Sequence, residues 1–355
     1  MSSVAIAAAP ERRHPLLSLL PGLALTASIA AVAHLASHDV GILKNYQMII
    51  AIMLGVLVHN LLGTPAATIE GVAFSLRRIL RFSIVLLGLQ ITAQQAAEVG
   101  GTGVAMIAIA LLATLVATML AGRLLGIPRG LSLLIGVGTA ICGASAIIAA
   151  KAAVRGEDDD AAYAIASVTL FGTLAIFAYP AAQSLLQLTP HDFGLWTGAS
   201  IHEVAQVMAT AFDGGPEALR IGAISKLTRV AMMAPVILAL GELSPLLGFG
   251  GAGERTRPPF PWFLVGFLAM VGIASFVAMP HQAGGLLDAA AQPVRDNLRT
   301  FSTANAFLLS MAMAAMGLHT KLRHILSEGW RPLALGLFAS LFISLTVLAM
   351  IRWVA

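Results

Sequence analysis

Apolar stretches long enough to span a lipid bilayer recur along this chain from one end to the other. A helix needs about 20 mostly apolar residues to cross the hydrocarbon core of a membrane. The 355 residues are 58% hydrophobic and 11% charged, and their mean hydropathy is +0.88. Soluble domains carry about 25% charged residues, roughly twice this fraction. The sequence therefore predicts an all-α polytopic membrane protein without a large soluble domain.

The apolar stretches predict about eleven spans in one integral membrane domain that covers residues 1–355. The run that follows Arg12 and Arg13 is too long for a signal-peptide core, so it predicts a first span rather than a cleaved leader. Two amphipathic segments, Thr92–Gly101 and His281–Arg299, are predicted to lie in the membrane interface. The spans are predicted near residues 16–36, 47–63, 76–91, 104–122, 130–153, 161–186, 194–212, 221–244, 259–279, 302–318 and 332–353.

Basic residues in the loops predict the orientation of the chain, because cytoplasmic loops of membrane proteins are enriched in Lys and Arg. With a cytoplasmic N-terminus, twelve basic residues lie in inner loops: Arg12, Arg13, Arg77, Arg78, Arg81, Arg123, Arg129, Arg255, Arg257, Lys321, Arg323 and Arg331. Seven lie on the outer side: Lys44, Lys151, Arg155, Arg220, Arg295, Arg299 and Arg352. We therefore expect a cytoplasmic N-terminus, an outer C-terminus and an acidic run at Glu157–Asp160 that faces outward.

Two predicted spans are rich in small and polar residues at their centres, where a lipid-facing helix would be rich in leucine. One reads GVGTAICGAS over 136–145, and the other reads TGASIHEVAQ over 197–206. Glycine lets a helix unwind, and the freed backbone groups must then face protein or a wet cavity. Such a break also creates a half-helix N-terminus, which attracts anions. These segments predict discontinuous or re-entrant helices near Gly143 and His202; close helix packing is the alternative.

The second of these segments contains a polar cluster. His202 and Gln206 are four residues apart and share a helix face, and Glu203 lies beside Gln206. Glu203 can hold a proton, pair with a basic residue or ligate a cation, and His202 titrates near neutral pH. We predict that His202, Glu203 and Gln206 form a proton relay that couples transport. A polar network that only fixes helix packing is the alternative.

Lys226 and Arg229 lie in the following apolar stretch and share a helix face. If the helix begins near Ala218, Lys226 lies about 12 Å along it, close to the middle of the hydrocarbon core. The two side chains can reach the interface, pair with Glu203 or contact an anion. Two buried cations against one carboxylate leave a net positive site. We predict that Lys226 and Arg229 bind an anion together with the backbone around Gly143, Ala144 and Ser145.

Other chemistries lack the residues that they need. The basic residues are scattered between apolar stretches, so the sequence pI of 9.6 does not predict nucleic-acid binding. His202 and Glu203 are adjacent and point in different directions, which disfavours a zinc site. The chain has no nucleotide-binding or hydrolase motif, so we predict no enzyme activity and no resident cofactor. Gln90, Ser302 and Asn305 are weaker candidates that could line a path or bond across helices.

Several motifs together resemble the YeiH family of proposed sulfate exporters. They are GTAICGASA at 138–146, FGTLAIFAYP at 171–180, HEVAQV at 202–207, KLTRV at 226–230 and MAMAAMGL at 311–318. The resemblance covers nearly the whole chain, with the core motifs around 130–153, 194–229 and 302–320. The family is grouped with the cation/proton antiporter and bile-acid symporter superfamily. That grouping implies inverted repeats and broken helices that cross near the membrane midplane.

The resemblance and the charged cluster together predict a secondary transporter of a small anion in the bacterial inner membrane. The substrate implied by the family is sulfate or a related sulfur oxyanion, with proton or sodium coupling. A cation/proton antiporter that uses Glu203 and His202 is the alternative. A short match between Leu87–Gln90 and Met316–His319, at an offset of 229, is the pattern of an inverted repeat; a chance match is the alternative. Lipid is the other expected partner, and the sequence is compatible with a homodimer.

Overall fold

The computed structural model describes residues 17–39, 46–154, 156–245, 262–279, 286–320 and 330–354, and these residues contain helices but no strands. Six of the described helices or helix pairs are long and apolar enough to cross a membrane: Leu20–His38, Ala93–Leu124, Asp158–Leu186, Gly215–Leu243, Ala291–His319 and Trp330–Trp353. Shorter apolar helices accompany them at Gln47–Leu62, Arg129–Ala140, Ala144–Val154 and Trp262–Ala278. The prediction of an all-α polytopic membrane protein is confirmed.

The α-helices fall close to the predicted spans. In chain order they are α1 (Leu20–Asp39), α2 (Gln47–Leu62), α3 (Ile69–Phe74), α4 (Leu80–Leu87), α5 (Ala93–Ala96), α6 (Gly100–Leu124), α7 (Arg129–Ala140), α8 (Ala144–Val154), α9 (Asp158–Leu186), α10 (Pro190–Ser200), α11 (Val204–Asp213), α12 (Gly215–Ala231), α13 (Met233–Leu243), α14 (Trp262–Ala278), α15 (Leu286–His319) and α16 (Trp330–Val354). A π turn at Ser75–Ile79 joins α3 to α4. The third predicted span therefore begins earlier than its hydropathy suggests.

The segment predicted as the fifth span is a re-entrant hairpin, which we call hairpin 1 (α7 and α8). The chain leaves the helix after Ala140 and resumes it at Ala144. Beyond the turn α8 runs back along α7. A Cβ placed on Gly138 would lie 2.6 Å from Ile147 Cδ1, and one on Gly156 would lie 3.6 Å from Leu134 Cδ1. Hairpin 1 therefore enters and leaves at one face, the hairpin-1 face.

The segment predicted as the seventh span folds in the same way and forms hairpin 2 (α10 and α11). Its helix breaks between Ser200 and Val204. The end of α11 returns to the start of α10, since a Cβ on Gly214 would lie 2.5 Å from Phe193 Cδ1. Because α9 connects the base of hairpin 1 to the base of hairpin 2, the two hairpins enter from opposite faces. The predicted breaks near Gly143 and His202 are confirmed.

The hairpins change which loops share a side. Two of the eleven hydrophobic segments turn back and do not cross the membrane. The number of crossings stays odd, so the two termini still lie on opposite sides. The loop between α8 and α9 nevertheless lies on the same side as the start of α7, because a Cβ on Gly130 would lie 2.7 Å from Asp160 Oδ2. The prediction that Lys151 and the acidic run face the side opposite Arg129 is wrong. Each half of hairpin 1 contains only 11 or 12 helical residues, too few to cross the bilayer twice.

The position of Lys151 strengthens the bias of basic residues toward one side. Moving Lys151 to the side of Arg123 and Arg129 increases the basic bias of that side, so we expect the hairpin-1 face to be cytoplasmic. Reporter fusions should place the N-terminus inside and the C-terminus outside. Asp159→Cys in a Cys142→Ala background should react with an impermeant maleimide in inside-out vesicles only. Labelling of Asp159→Cys in right-side-out vesicles only would contradict the predicted orientation.

The helices pack as two groups. The scaffold group consists of α1 to α4, α14 and α15, and the hairpin group consists of α6 to α13 and α16. Within the scaffold group α2 and α15 approach closely at glycines: a Cβ on Gly55 would lie 2.4 Å from Ala314 O. The groups contact each other through α11, which packs on α2 and α15. This division matters because cavities lie along the boundary between the two groups.

The two segments predicted to be amphipathic and interfacial differ in how they join the long helices. Within Thr92–Gly101, residues 93–99 form the short α5 and a 3₁₀ turn, and Gly100 and Gly101 already belong to α6; the interfacial position of this segment stays a prediction. The second amphipathic segment is continuous with α15 from Leu286 onward, so it is not a separate interfacial helix. Residues 281–285 of that prediction lie outside the described residues. An inverted repeat produces hairpins that enter the membrane from opposite faces, as these two do. The match at an offset of 229 also pairs Gly100 with Gly329, but Gly329 lies outside the described residues.

Candidate functional site

The tips of the two hairpins meet at α12, where Lys226 joins them. Lys226 is fully buried. Its ammonium group donates to the carbonyl oxygens of Ile141 and Ile201, both at 2.8 Å, and to the carbonyl of His202. An ammonium group has three N–H donors, so all three are used. One cation thus holds the ends of α7 and α10 together.

Arg229, one turn further along α12, makes the same kind of connection. Its side chain is fully buried. Its Nε donates to Ala140 O at 2.9 Å, and Nη2 donates to Thr139 O at the end of α7. Its Nη1 donates to Ile201 O at 2.8 Å and to Gly198 O at 3.3 Å on hairpin 2. The carbonyls at a helix C-terminus carry partial negative charge, so both cations lie where that charge is concentrated.

This geometry bears on the alternatives for the two cations. Both side chains are at 0% exposure, so neither reaches the interface. No ion pair joins Glu203 to either cation in the described part of the chain. Direct contact with an anion stays a prediction, and in this conformation the Lys226 donors are all used by carbonyls. The charge of both cations nevertheless remains next to the hairpin tips.

Glu203 lies at the tip of hairpin 2, directly before α11, and also touches hairpin 1. A Cβ on Gly143 would lie 2.6 Å from Glu203 Cγ, and Gly143 has a φ of +73°, a value that favours glycine. Thr169 of α9 donates to Glu203 Oε1 at 3.0 Å. The half-buried carboxylate thus lies beside the N-termini of both returning half-helices, α8 and α11.

Gln206 fixes the backbone at this tip. Its Oε1 accepts the Glu203 N–H at 3.0 Å, and its Nε2 donates to Thr169 O at 3.2 Å. A Cβ on Gly172 would lie 1.9 Å from Gln206 Oε1, so α9 approaches closely only because residue 172 is glycine. The side chain of Gln206 is fully buried and its amide has these partners. Gln206 is therefore placed to position Glu203; a part in a proton relay stays a prediction.

His202 is buried at 2% exposure between the hairpin tip and α16. Its Nε2 lies 2.8 Å from Ser340 Oγ, and its Nδ1 has no partner among the described residues. The ring is therefore within one hydrogen bond of α16, and its contact is with Ser340 rather than with Glu203. The predicted relay from His202 to Glu203 has no direct bond in this conformation and stays a prediction.

Ala144 and Ser145 begin α8, and their backbone N–H groups are at the start of the helix, where no intrahelical acceptor exists. Ser145 is exposed and Ala144 is partly buried, whereas the preceding residues 141–143 are buried. Ser145, Cys142 and Val204 line a cavity of about 470 Å³, which we call the inner cavity. This cavity therefore touches the N-terminal ends of both returning half-helices.

The opposite wall of the inner cavity belongs to the scaffold group. Arg78, Arg81 and Val85 line it together with Trp262 and Phe263 at the start of α14. Arg78 and Arg81 are exposed, and neither has an acidic partner in the described residues. Arg81 lies over the ring of Phe263, 6.0 Å from its centroid. The cavity therefore joins two guanidinium groups to the positive N-termini of two half-helices, of which that of α11 is capped by the Glu203 carboxylate.

Comparison with known proteins places this architecture in a family. The sequence model of the family described as Conserved hypothetical protein 698 matches residues 21–336. The UPF0324 membrane protein PA5383 of Pseudomonas aeruginosa is 40% identical over 333 residues, 89% of each chain. The UPF0324 inner membrane protein YeiH of Escherichia coli K12 is 34% identical over 342 residues, 94% of each chain. The chain belongs to the YeiH family. No solved structure matches it.

This family membership confirms the resemblance that the sequence motifs indicated, and it gives a multi-pass membrane protein with inner-membrane relatives. A third relative, the UPF0324 membrane protein of Pseudomonas putida, is 35% identical over 302 residues, 83% of this chain and 82% of its own. Four motifs of the YeiH family meet in space: GTAICGASA forms the tip of hairpin 1, HEVAQV forms that of hairpin 2, and KLTRV supplies Lys226 and Arg229. FGTLAIFAYP lies on α9, where Gly172 packs against Gln206.

Sequence reasoning on this YeiH-family chain missed residues that the fold brings to the site. The sequence indicates Arg78 and Arg81 only as inner-side charges, because they lie at the start of the third predicted span. Thr169 carried no signal within a long apolar helix.

A second cavity of about 650 Å³, the outer cavity, lies near the base of hairpin 2 and is lined by the weaker candidates Gln90, Ser302 and Asn305. Within the described residues no cluster of three His, Cys, Asp or Glu side chains could hold a metal.

Proposed function

We propose that this protein is a secondary transporter of a small anion, and that the anion binds where the inner cavity meets the hairpin tips. The observation that carries the proposal is the set of positive groups around this cavity: Arg78, Arg81 and the N-terminus of α8, beside the N-terminus of α11, which the Glu203 side chain caps. Half-helix N-termini bind anions through their unpaired N–H groups and their dipoles. The family context suggests sulfate or a related sulfur oxyanion.

The charge balance at the tips favours an anion over a cation. Lys226 and Arg229 offset the negative ends of α7 and α10, and Glu203 contributes one negative charge beside the positive ends of α8 and α11. The sum at the tips is then one positive charge in a buried region. A buried net charge costs several kcal/mol. An anion that enters the inner cavity reduces this cost.

The two helix groups suggest how the site could alternate between the two sides. The inner cavity lies between α4 and the hairpin tips, and the outer cavity lies between α15 and the base of hairpin 2. Both therefore follow the boundary between the scaffold group and the hairpin group. Sliding or rocking of one group against the other would open one cavity while closing the second. We assign the described conformation to the state in which the hairpin tips are accessible from the hairpin-1 face of the membrane.

A cation/proton antiporter is the second candidate, and Glu203 is the observation that favours it. Glu203 is the acidic residue at the hairpin tips, it is half-buried, and Thr169 holds one of its oxygens. A carboxylate in this position could exchange a proton for a cation while Lys226 and Arg229 serve as fixed counter-charges. Under either candidate we propose no catalysed reaction and no resident cofactor.

Uptake into proteoliposomes tests both candidates. Sulfate, thiosulfate, sulfite, chloride, Na⁺ and K⁺ should be compared with and without imposed pH and Na⁺ gradients. We expect accumulation of an oxyanion that depends on one of the gradients. Transport that follows Na⁺ or H⁺ alone, with no anion required, would replace the anion proposal with the antiporter.

Substitutions at the cavity wall test where the anion binds. Arg78→Gln and Arg81→Gln should each raise the KM for the anion about fivefold, since a charge at about 4 Å in a water-like medium contributes about 1 kcal/mol. Arg77→Gln is the matched control, because Arg77 is exposed and adjacent in sequence but does not line the cavity. If all three variants have the same KM as the wild type, the anion does not use this route.

A further inference from the structure

Asp213 is a buried carboxyl group without a partner at the base of hairpin 2. It is the last residue of α11, and it precedes a glycine turn in which Gly215 has a φ of +92°. Both carboxyl oxygens are buried, and neither has a hydrogen-bond partner among the described residues. An isolated ionised carboxylate in this position costs several kcal/mol, so a protein either neutralises it or exposes it to water. Such a group needs an explanation.

The charged groups on the neighbouring elements do not offset the charge of Asp213. On α10, His191 and Asp192 lie 3.4 Å apart, and on α12, Arg220 pairs at 2.6 Å with Glu98, which precedes α6. The Nε of Arg220 is buried without a hydrogen-bond partner among the described residues. Glu217 of α12 is exposed, and so are Arg295, Asp296 and Arg299 of α15. None of these groups forms an ion pair with Asp213 in the described part of the chain. Burial alone raises the pKa of Asp213 to about 8.

The position of Asp213 connects it to the outer cavity. Phe212 and Gly215, its near neighbours in the chain, line this cavity, and so does Asn305. Asn305 is at 1% exposure, and its Oδ1 also lacks a partner among the described residues. Buried polar atoms without partners therefore lie at the boundary where α11 meets α15. This is the boundary that must open if hairpin 2 is to expose its tip to the side of the membrane from which hairpin 2 enters, opposite the hairpin-1 face.

We infer that Asp213 is a second proton-binding site of this protein, and that its ionisation releases the base of hairpin 2 from the scaffold group. The inference rests on the proposed function, since it assumes two alternating conformations. In the described conformation the carboxyl group carries a proton and packs without a partner. When the group loses its proton, the base of hairpin 2 moves until water reaches the carboxylate. The outer cavity then opens and the inner cavity closes.

The direction of the pH effect follows from the two pKa values. In the buried conformation the pKa is about 8, and in a water-exposed conformation it returns to about 4. The buried conformation therefore binds the proton more tightly. Raising the pH from about 4 to about 8 therefore shifts the equilibrium between the two conformations toward the water-exposed one. The equilibrium constant changes by at most tenfold per pH unit, and it does not change further above pH 8.

Infrared spectroscopy of the purified protein in lipid tests the proton site directly. The wild-type minus Asp213→Asn difference spectrum at pH 6 should contain the C=O stretch of a neutral carboxylic acid, and this band should decrease as the pH rises to 8 and be absent above it, because the exposed conformation takes up the ionised form. Glu217→Gln is the matched control, because Glu217 lies four residues away and is exposed; that variant should keep the band. A wild-type spectrum without a band that depends on Asp213 would overturn the inference.

Thiol labelling tests the link to the conformation, and it requires no transport. Ser145→Cys in a Cys142→Ala background places one thiol on the inner cavity. Between pH 6 and 8 its maleimide labelling rate should fall several-fold relative to that of the same protein carrying Asp213→Asn, in which the thiol chemistry is identical. A constant ratio would overturn the link. Failure of the anion proposal would instead appear as absent anion uptake with both of these results unchanged.

Discussion

Arg229→Met and Lys226→Met are expected to abolish anion transport and to destabilise the hairpin tips. The seven hydrogen bonds that these side chains donate all end on carbonyl groups of hairpins 1 and 2. Arg229→Met leaves Thr139 O, Ala140 O and Gly198 O without their cationic donor. A buried acceptor that loses its partner costs about 1–3 kcal/mol, so we expect a loss of at least about 3 kcal/mol. Thermal unfolding in detergent and uptake into proteoliposomes measure the two effects.

A matched control separates this buried role from a general effect of losing a charge. Arg352 of α16 also donates to a carbonyl at a helix end, that of Leu186, but at an exposed position. Arg352→Met should therefore change neither stability nor uptake by much. The predicted contact with the anion adds a second criterion. A variant that lost only an anion ligand would keep wild-type stability without anion but would no longer be stabilised by sulfate. Wild-type transport by both Met variants would refute a role for these residues in the site.

Glu203→Gln should keep anion binding and remove its pH dependence. Gln has nearly the same shape as Glu and can still accept the hydrogen bond from Thr169. It cannot exchange a proton, so the charge beside the N-termini of α8 and α11 no longer changes with pH. In the wild type a proton on Glu203 makes the tips more positive. We therefore expect tighter anion binding at low pH, with a change of at most tenfold per pH unit for one coupled proton.

The measurement is the KM for anion uptake between pH 5.5 and 8.5 in proteins that carry Asp213→Asn. This background removes the proposed effect of Asp213 on the conformation, which would itself change the apparent KM. In it, the KM of the protein with Glu203 should rise with pH, and that of the protein with Glu203→Gln should stay flat near the low-pH value. If Glu203→Gln retains the rise with pH, the coupling proton is held elsewhere. His202, which contacts Ser340, would then be the next residue to test.

Local sequence features predicted the elements of this site. Apolar runs of about 20 residues give spans because unsatisfied backbone groups are so costly in lipid that a helix is the available solution. Glycines and small polar residues at the centre of two such runs mark where the helix breaks, and both breaks are observed. Buried Lys226 and Arg229 were recognisable as exceptional because charges are rare in apolar segments. These arguments need only composition and spacing along the chain.

The direction of the chain after each break is decided by tertiary packing. A broken span and a re-entrant hairpin have the same hydropathy, and only the packing of α8 against α7 and of α11 against α10 shows that both segments turn back. The same contacts reverse the predicted side of Lys151. The fold also places backbone carbonyl groups around Lys226 and Arg229, and these carbonyls accept most of the hydrogen bonds that the two side chains can donate. Neighbours in space, unlike neighbours in sequence, determine which partner a buried charge finds.

The sequence by itself thus determined the membrane class, the family, the break positions and the polar residues of the tips, because each depends on local composition or on motifs. Tertiary structure alone decided which groups come together: Glu203 with Gly143, Arg78 and Arg81 with the tip of hairpin 1, and Asp213 with no partner at all among the described residues. The physical reason is that hydrogen bonds and burial depend on distances between segments far apart in the chain, and hydropathy contains no information about those distances.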